Sequence, residues 1–144
     1  MGIITSFQRP DGNKTKCYLA EAGENSPGII VIQEWWGLND QICGVADRFA
    51  RSGFNALAPD LFHGRTTQEP DEASHLMESL DFSEATHQDI RGAVQHLRTT
   101  SRKVGVIGFC MGGALTLMSA EHIPECTAVV CFYGIPPRLS LIHI

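Results

Sequence analysis

Cys110 stands between two glycines in GVIGFCMGGAL, residues 105–115, where an apolar run gives way to a helix pattern. Gly108-Phe109-Cys110-Met111-Gly112 fits the form G-x-nucleophile-x-G, with cysteine where serine is more usual. A strand that turns sharply into a helix holds the central residue in a strained conformation. The residues two away on either side must then be small, or strand and helix collide. The free N–H groups and partial positive charge of a helix N-terminus favour a thiolate there, and stabilise an oxyanion formed on a bound carbonyl. Met111, first in the helix pattern, offers the natural backbone N–H for that oxyanion. The plainer alternative is a buried cysteine in a glycine-rich turn. A phosphate-binding loop is the weaker alternative, because no Gly-Lys-Ser/Thr follows and the turn is too short.

A second group of chemical interest follows the run GIIVIQE. Glu34 lies at the carboxyl end of this apolar strand, where parallel sheets place functional groups. Trp35 and Trp36 beside it can wall an apolar pocket, and the Trp35 N–H can serve as a second oxyanion donor. Position alone leaves an equal alternative, in which Glu34 simply leaves the sheet into solvent and the tryptophans pack over its end. His63 and Arg65, in the polar loop after the next strand, are placed to border the same pocket.

These residues need a frame, and the pattern supplies one. GIITSFQRPDGNKTKCYLAEA reads as two strands around a turn at Pro10-Asp11-Gly12. GIIVIQEW is a continuous apolar run, the mark of a strand buried on both faces. Ile42, Val45, Ala46, Phe49 and Ala50 then repeat at helical spacing, with Asn39 or Asp40 to cap the start and Gly53 to end it. FNALAPD is a short strand stopped by Pro59. Ala73, Leu76, Met77 and Leu80 mark a short helix, and Ile90, Ala93, Val94 and Leu97 a longer one from about Ser83 to Arg98. Strand KVGVIGF, helix MGGALTLMSAEH and strand TAVVCFYG complete the series. After the N-terminal antiparallel pair, strands and helices alternate, which predicts an α/β fold: a mostly parallel sheet with helices on both faces.

Composition narrows the function further. The chain has 144 residues and a net charge of −5, so it lacks the basic face of a nucleic-acid binder. Its apolar runs are strand-length, so no membrane span is expected, and the N-terminus has no signal-peptide pattern. The five cysteines, Cys17, Cys43, Cys110, Cys126 and Cys131, are odd in number and show no C-x-x-C spacing. They read as free thiols in a reducing cytoplasm. Cys131 and Cys43 sit in apolar patterns and are expected in the core.

QEWWGLNDQICGVADRFARSGFNALAPDLF, then VGVIGFCMGGAL, then AVVCFYG, resembles the dienelactone hydrolase family of the α/β-hydrolase fold. The similarity runs from about Gly28 to Pro137. The resemblance implies a Cys-His-Asp triad whose cysteine is Cys110. It implies that Glu34 interacts with the resting thiol and takes part in its activation, with oxyanion donors at the backbone N–H groups of Trp35 and Met111. It implies hydrolysis of a small ester or lactone through an acyl-enzyme, without metal or cofactor. The prototypical family reaction opens dienelactone to maleylacetate.

The sequence departs from that pattern in three respects. The family's acid and histidine follow the sixth strand, and no histidine here matches the second of them. His75, His87, His96 and His122 fall on helix patterns, and His143 comes too soon after Cys110. No substrate-carboxylate arginine is matched between Pro70 and Leu80. The last six residues, LSLIHI, read as a translated sequencing adapter. Residues 1–138 are therefore expected to be the N-terminal portion of one hydrolase domain whose C-terminal part is missing, and residues 139–144 a non-native tail. Such a portion is expected to fold poorly and to be inactive alone. Two other readings stay open: a glutamine amidotransferase-like cysteine enzyme, and a non-catalytic small-molecule binder on a hydrolase scaffold.

Overall fold

The first two strands form a hairpin because its turn supplies the right chemistry. β1 (Ile3–Gln8) pairs antiparallel with β2 (Lys14–Ala20), from Ile3 opposite Leu19 to Gln8 opposite Lys14. Arg9 N donates to Asn13 O at 2.7 Å, Gly12 takes a φ of +90°, and the Asp11 carboxylate accepts from Asn13 N. The computed structural model describes residues 1–135.

The other strands are β3 (Gly28–Ile32), β4 (Asn55–Pro59), β5 (Val104–Phe109) and β6 (Ala128–Phe132). Together they make one six-stranded sheet in the order β1-β2-β4-β3-β5-β6. β2 meets β4 antiparallel, while β4, β3, β5 and β6 run parallel. Successive residues of β3 feed opposite faces. Ile30 and Ile32 join the core with Leu57, Val106, Leu115 and Val94, whereas Val31 joins Ala56, Ala58, Ile42 and Ala46. The apolar, unalternating text of β3 follows from burial on both sides.

Helix α1 (Asp40–Arg51) covers the second of these faces. Asn39 caps it by accepting from Ile42 N at 3.2 Å, and Gly53, at φ +96°, turns the chain away after its last turn. The opposite face carries the helix α5 (Met111–His122) and a helical stretch from Phe82 to Leu97. The short α2 (Pro70–Ser79) starts on Pro70, as a helix readily does.

Three expectations need adjustment. The single helix expected from about Ser83 to Arg98 is instead α3 (Phe82–Glu84), a π-helical stretch Ala85–Ile90, and α4 (Arg91–Leu97). A π turn is a local widening that apolar spacing does not encode, and here it coincides with the burial of Thr86 and Asp89. Cys131 is half-buried rather than core, because β6 pairs only with β5 among the described strands. Cys43 is also half-buried, on the flank of α1. The expectations for Arg138, His143 and LSLIHI fall outside the described residues.

Strand order also locates a crevice. From β3 the chain moves outward to β4, then returns across β3 to β5. The carboxyl ends of β3 and β5 therefore flank a topological switch point, where open α/β sheets bind ligands.

Candidate active site

Cys110 joins β5 to α5 with φ 57° and ψ −118°, a conformation costly for any residue with a side chain. Close packing enforces it. A Cβ added at Gly108 would lie 2.1 Å from Gly112 O, and one at Gly112 would lie 2.4 Å from Gln33 O. Only glycine fits either place, so the end of β5 and the first turn of α5 approach each other and β3 directly. Cys110 N donates to Phe132 O at 3.0 Å, and Ala114 N to Cys110 O at 3.1 Å. The sulfur is thus presented at the N-terminus of a helix of 12 residues. Met111, its first residue, has no intrahelical acceptor for its N–H.

Glu34 lies two residues beyond β3, at the other lip of the crevice. Its backbone carbonyl accepts from Gly37 N at 3.2 Å, which folds the tryptophan pair into a tight turn. Trp35 and Trp36 meet edge-to-face with ring centroids 5.3 Å apart. Thr67 N donates to Trp36 O at 3.1 Å, so the loop after β4 braces the loop after β3.

Tyr133 connects the two lips. It follows β6, takes a φ of 39°, and its hydroxyl donates to Glu34 Oε2 at 3.1 Å. Its phenol is raised above the ordinary tyrosine value, by desolvation first, then by the hydrogen bond to Glu34 and by the charges of Glu34 and Cys110. Nothing in the run CFYG marks this tyrosine out. Its place beyond the carboxyl end of a strand neighbouring β5 was the one available signal.

A cavity of about 530 Å³ opens over the sulfur. Met77, Leu80 and Phe82 line it, together with Glu78, Met111, Ala114, Tyr133 and Ile135. Sequence reading missed the first three as site residues, because helical periodicity marks them only as apolar.

Three pocket candidates lie elsewhere. Trp36, His63 and Arg65 do not line the cavity over Cys110. His63 Nε2 faces Asp89 Oδ2 at 3.7 Å, and Arg65 Nη2 donates to Glu72 Oε1 at 3.4 Å. Asp89 is 2% exposed and accepts from Thr15 Oγ1 at 2.6 Å and from Arg9 Nη1 at 3.3 Å. Arg9 is shared with Asp11 and Glu84. Burial pushes the Asp89 carboxyl above the usual range, against the opposing pull of Thr15, His63 and Arg9. Among the described residues no three histidine, cysteine, aspartate or glutamate side chains converge as a metal site.

Comparison with known proteins agrees with this geometry. The model of the dienelactone hydrolase family matches residues 15–144. The chain belongs to the dienelactone hydrolase family. Protein usf of Aquifex pyrophilus is 38% identical over 146 residues, covering 94% of this chain and 63% of that protein. The Aquifex aeolicus protein named "Putative carboxymethylenebutenolidase" is 33% identical with the same coverage of each. A dienelactone hydrolase-like promiscuous phosphotriesterase from metagenomic libraries matches with a TM-score of 0.74 at 28% identity. That match covers 92% of this chain and 59% of the solved one. The chain therefore spans less than two thirds of each of these three relatives.

Proposed function

We propose that the protein is a hydrolase of small carboxylic esters or lactones with Cys110 as nucleophile. The observation that carries this reading is Cys110 itself, strained at the head of α5, with Glu34 two residues beyond the carboxyl end of the neighbouring strand β3. In the proposed reaction the thiol proton passes to a histidine, and a sulfur lone pair forms a bond to the substrate carbonyl carbon. The carbonyl π electrons become an oxyanion held by the Met111 and Trp35 N–H groups. Collapse breaks the C–O bond, and the leaving alkoxide takes the proton from the histidine. Water, deprotonated by the same histidine, then displaces sulfur and returns the free thiol. On this reading Glu34 interacts with the resting thiol and takes part in its activation when substrate binds.

We place the triad aspartate and histidine in the part of the relatives that this chain does not span. Residues 1–138 are on this reading the N-terminal portion of one hydrolase domain, and the chain alone lacks triad turnover. Genomic sequence read past the codon for Arg138 is expected to carry the frame through further strands bearing an aspartate and then a histidine. The full-length product is then assayed on lactones and 4-nitrophenyl esters. Cys110→Ala is expected to remove turnover by at least about a thousandfold. Persistence of turnover in Cys110→Ala, or full activity of the 144-residue chain alone, sinks the proposal.

A further inference from the structure

Gln33 has no exposed surface, an uncommon setting for a side-chain amide. Three parts of the candidate site meet on it. Its backbone carbonyl lies so close to the first turn of α5 that a Cβ at Gly112 would come within 2.4 Å of the oxygen. Its side-chain Oε1 accepts from Leu61 N at 3.1 Å, which ties it to the loop after β4. Its peptide leads directly into the Glu34–Gly37 turn, which carries the Trp35 N–H.

The loop that Gln33 grips is itself firmly held. Asp60 N donates to Lys16 O at 2.9 Å, and the Asp60 carboxylate accepts from Gly64 N at 2.6 Å. Farther along, Thr67 N donates to Trp36 O at 3.1 Å, and a Cβ at Gly37 would lie 2.5 Å from Arg65 O. The Glu34–Gly37 turn is therefore clamped at its entry by Gln33 and at its exit by Thr67. We infer that Gln33 is a positioning residue, which hangs this turn on the loop after β4 and so fixes the Trp35 N–H relative to Cys110. The role of that N–H rests on the hydrolase reading, whereas the clamp itself is built wholly from described residues that already enclose Gln33.

Stability alone does not account for an amide in this place. Nε2 is buried with no hydrogen-bond partner among the described residues, and an unmet buried donor costs about as much as one good hydrogen bond contributes. Leucine would leave Leu61 N unpaired but would also remove the unmet donor, so the two changes offset. Leucine cannot hold the turn to the loop.

Gln33→Leu is compared with the wild type in the full-length protein. Peptide-resolved hydrogen exchange is expected to quicken at least about fivefold at residues 34–37 and 67. The β1–β2 hairpin is expected to exchange as before, and the urea midpoint to stay close to that of the wild type. On 4-nitrophenyl butyrate, kcat is expected to fall at least about tenfold with KM within about twofold, since a displaced oxyanion donor weakens the transition state alone. Ser101→Ala serves as the contrast. It removes a buried partner of Asn55 at the other end of the sheet, and is expected to lower the urea midpoint while leaving kcat unchanged. Gln33→Met, which keeps the side-chain length without the acceptor, repeats the test if the leucine variant does not fold. Unchanged exchange at residues 34–37 and 67, or an unchanged kcat, overturns the inference. Cleavage of no ester by the wild type defeats the hydrolase reading, and the exchange rates still decide whether Gln33 holds the turn.

Discussion

Cys110 shares the chain with four other thiols, and their surroundings separate them. Cys17 is fully buried, and burial pushes its thiol up to about 12. At pH 8 only roughly one molecule in ten thousand then carries that thiolate. Cys43 and Cys126 are also raised, chiefly by burial. Peptide-resolved alkylation of the native protein at pH 8 is expected to label Cys110 at least about tenfold faster than any of these three. Comparable labelling of Cys17 in protein that is still folded by circular dichroism would contradict the elbow geometry. Tyr133 adds a second test. Its hydroxyl spreads the charge of Glu34, and on the proposed reading, in which that carboxylate acts on the thiol, Tyr133→Phe leaves more of the charge to oppose a thiolate. Cys110 alkylation at pH 7 is expected to slow about threefold in this variant. Because the effect runs through Glu34, it is expected to vanish in a Glu34→Gln background. Slowing that persists there would place Tyr133 elsewhere in the site.

The elements of this fold were legible where a local period encodes them. The β1–β2 turn, a cap at Asn39 or Asp40, the span of α5 and the mostly parallel character of the sheet all follow from spacing and turn residues. The Cys110 elbow was legible too, since Gly108 and Gly112 bracket it at a spacing that only close packing requires. The π-helical stretch was not, because it depends on what lies across from it. Arg9 and Thr15 come from the hairpin, His63 from the loop after β4 and Asp89 from the π turn, and they converge only in three dimensions. Tyr133 and the cavity walls were hidden for the same reason.

That convergence has a pH signature. The Asp89 carboxyl is raised by burial, so the native state binds its proton more readily than the unfolded chain does. Stability from this group is therefore fully present below the unfolded carboxyl value, about 4, and is lost as pH rises through the higher native value. Asp89→Asn cannot titrate. Urea midpoints are thus expected to show the wild type losing ground to Asp89→Asn between pH 4 and pH 7, and a constant gap would remove burial as the dominant influence. The elbow makes a steric counterpart. Gly108→Ala would place a methyl group 2.1 Å from Gly112 O, and a loss of at least about 2 kcal/mol is expected by urea unfolding. A loss below about 0.5 kcal/mol would mean that the strand and helix can separate.

At the scale of the whole molecule, the sheet ends on one side in β6. β6 is five residues, AVVCF, with no charge and no proline, and its outer edge is unpaired among the described strands. Val130 is 49% exposed and Phe132 43% exposed, with Phe132 stacked on Phe109 at 5.2 Å. An unpaired, uncharged, apolar edge without proline can template pairing with another copy. The chain is therefore expected to self-associate with rising concentration, seen as a growing weight-average mass in light scattering. Val130→Lys places a charge on the exposed face of that edge. It is expected to lower association several-fold while leaving β5 and the Cys110 elbow intact, because the Val130 side chain contributes little to the core. The relatives extend well beyond the part that this chain matches. A full-length gene product with further structure against β6 is expected to scatter less than the 144-residue chain at equal molarity. A monomeric 144-residue chain at about 100 µM, with cooperative unfolding, would show that the β6 edge is tolerated and that the portion spanned here is self-sufficient.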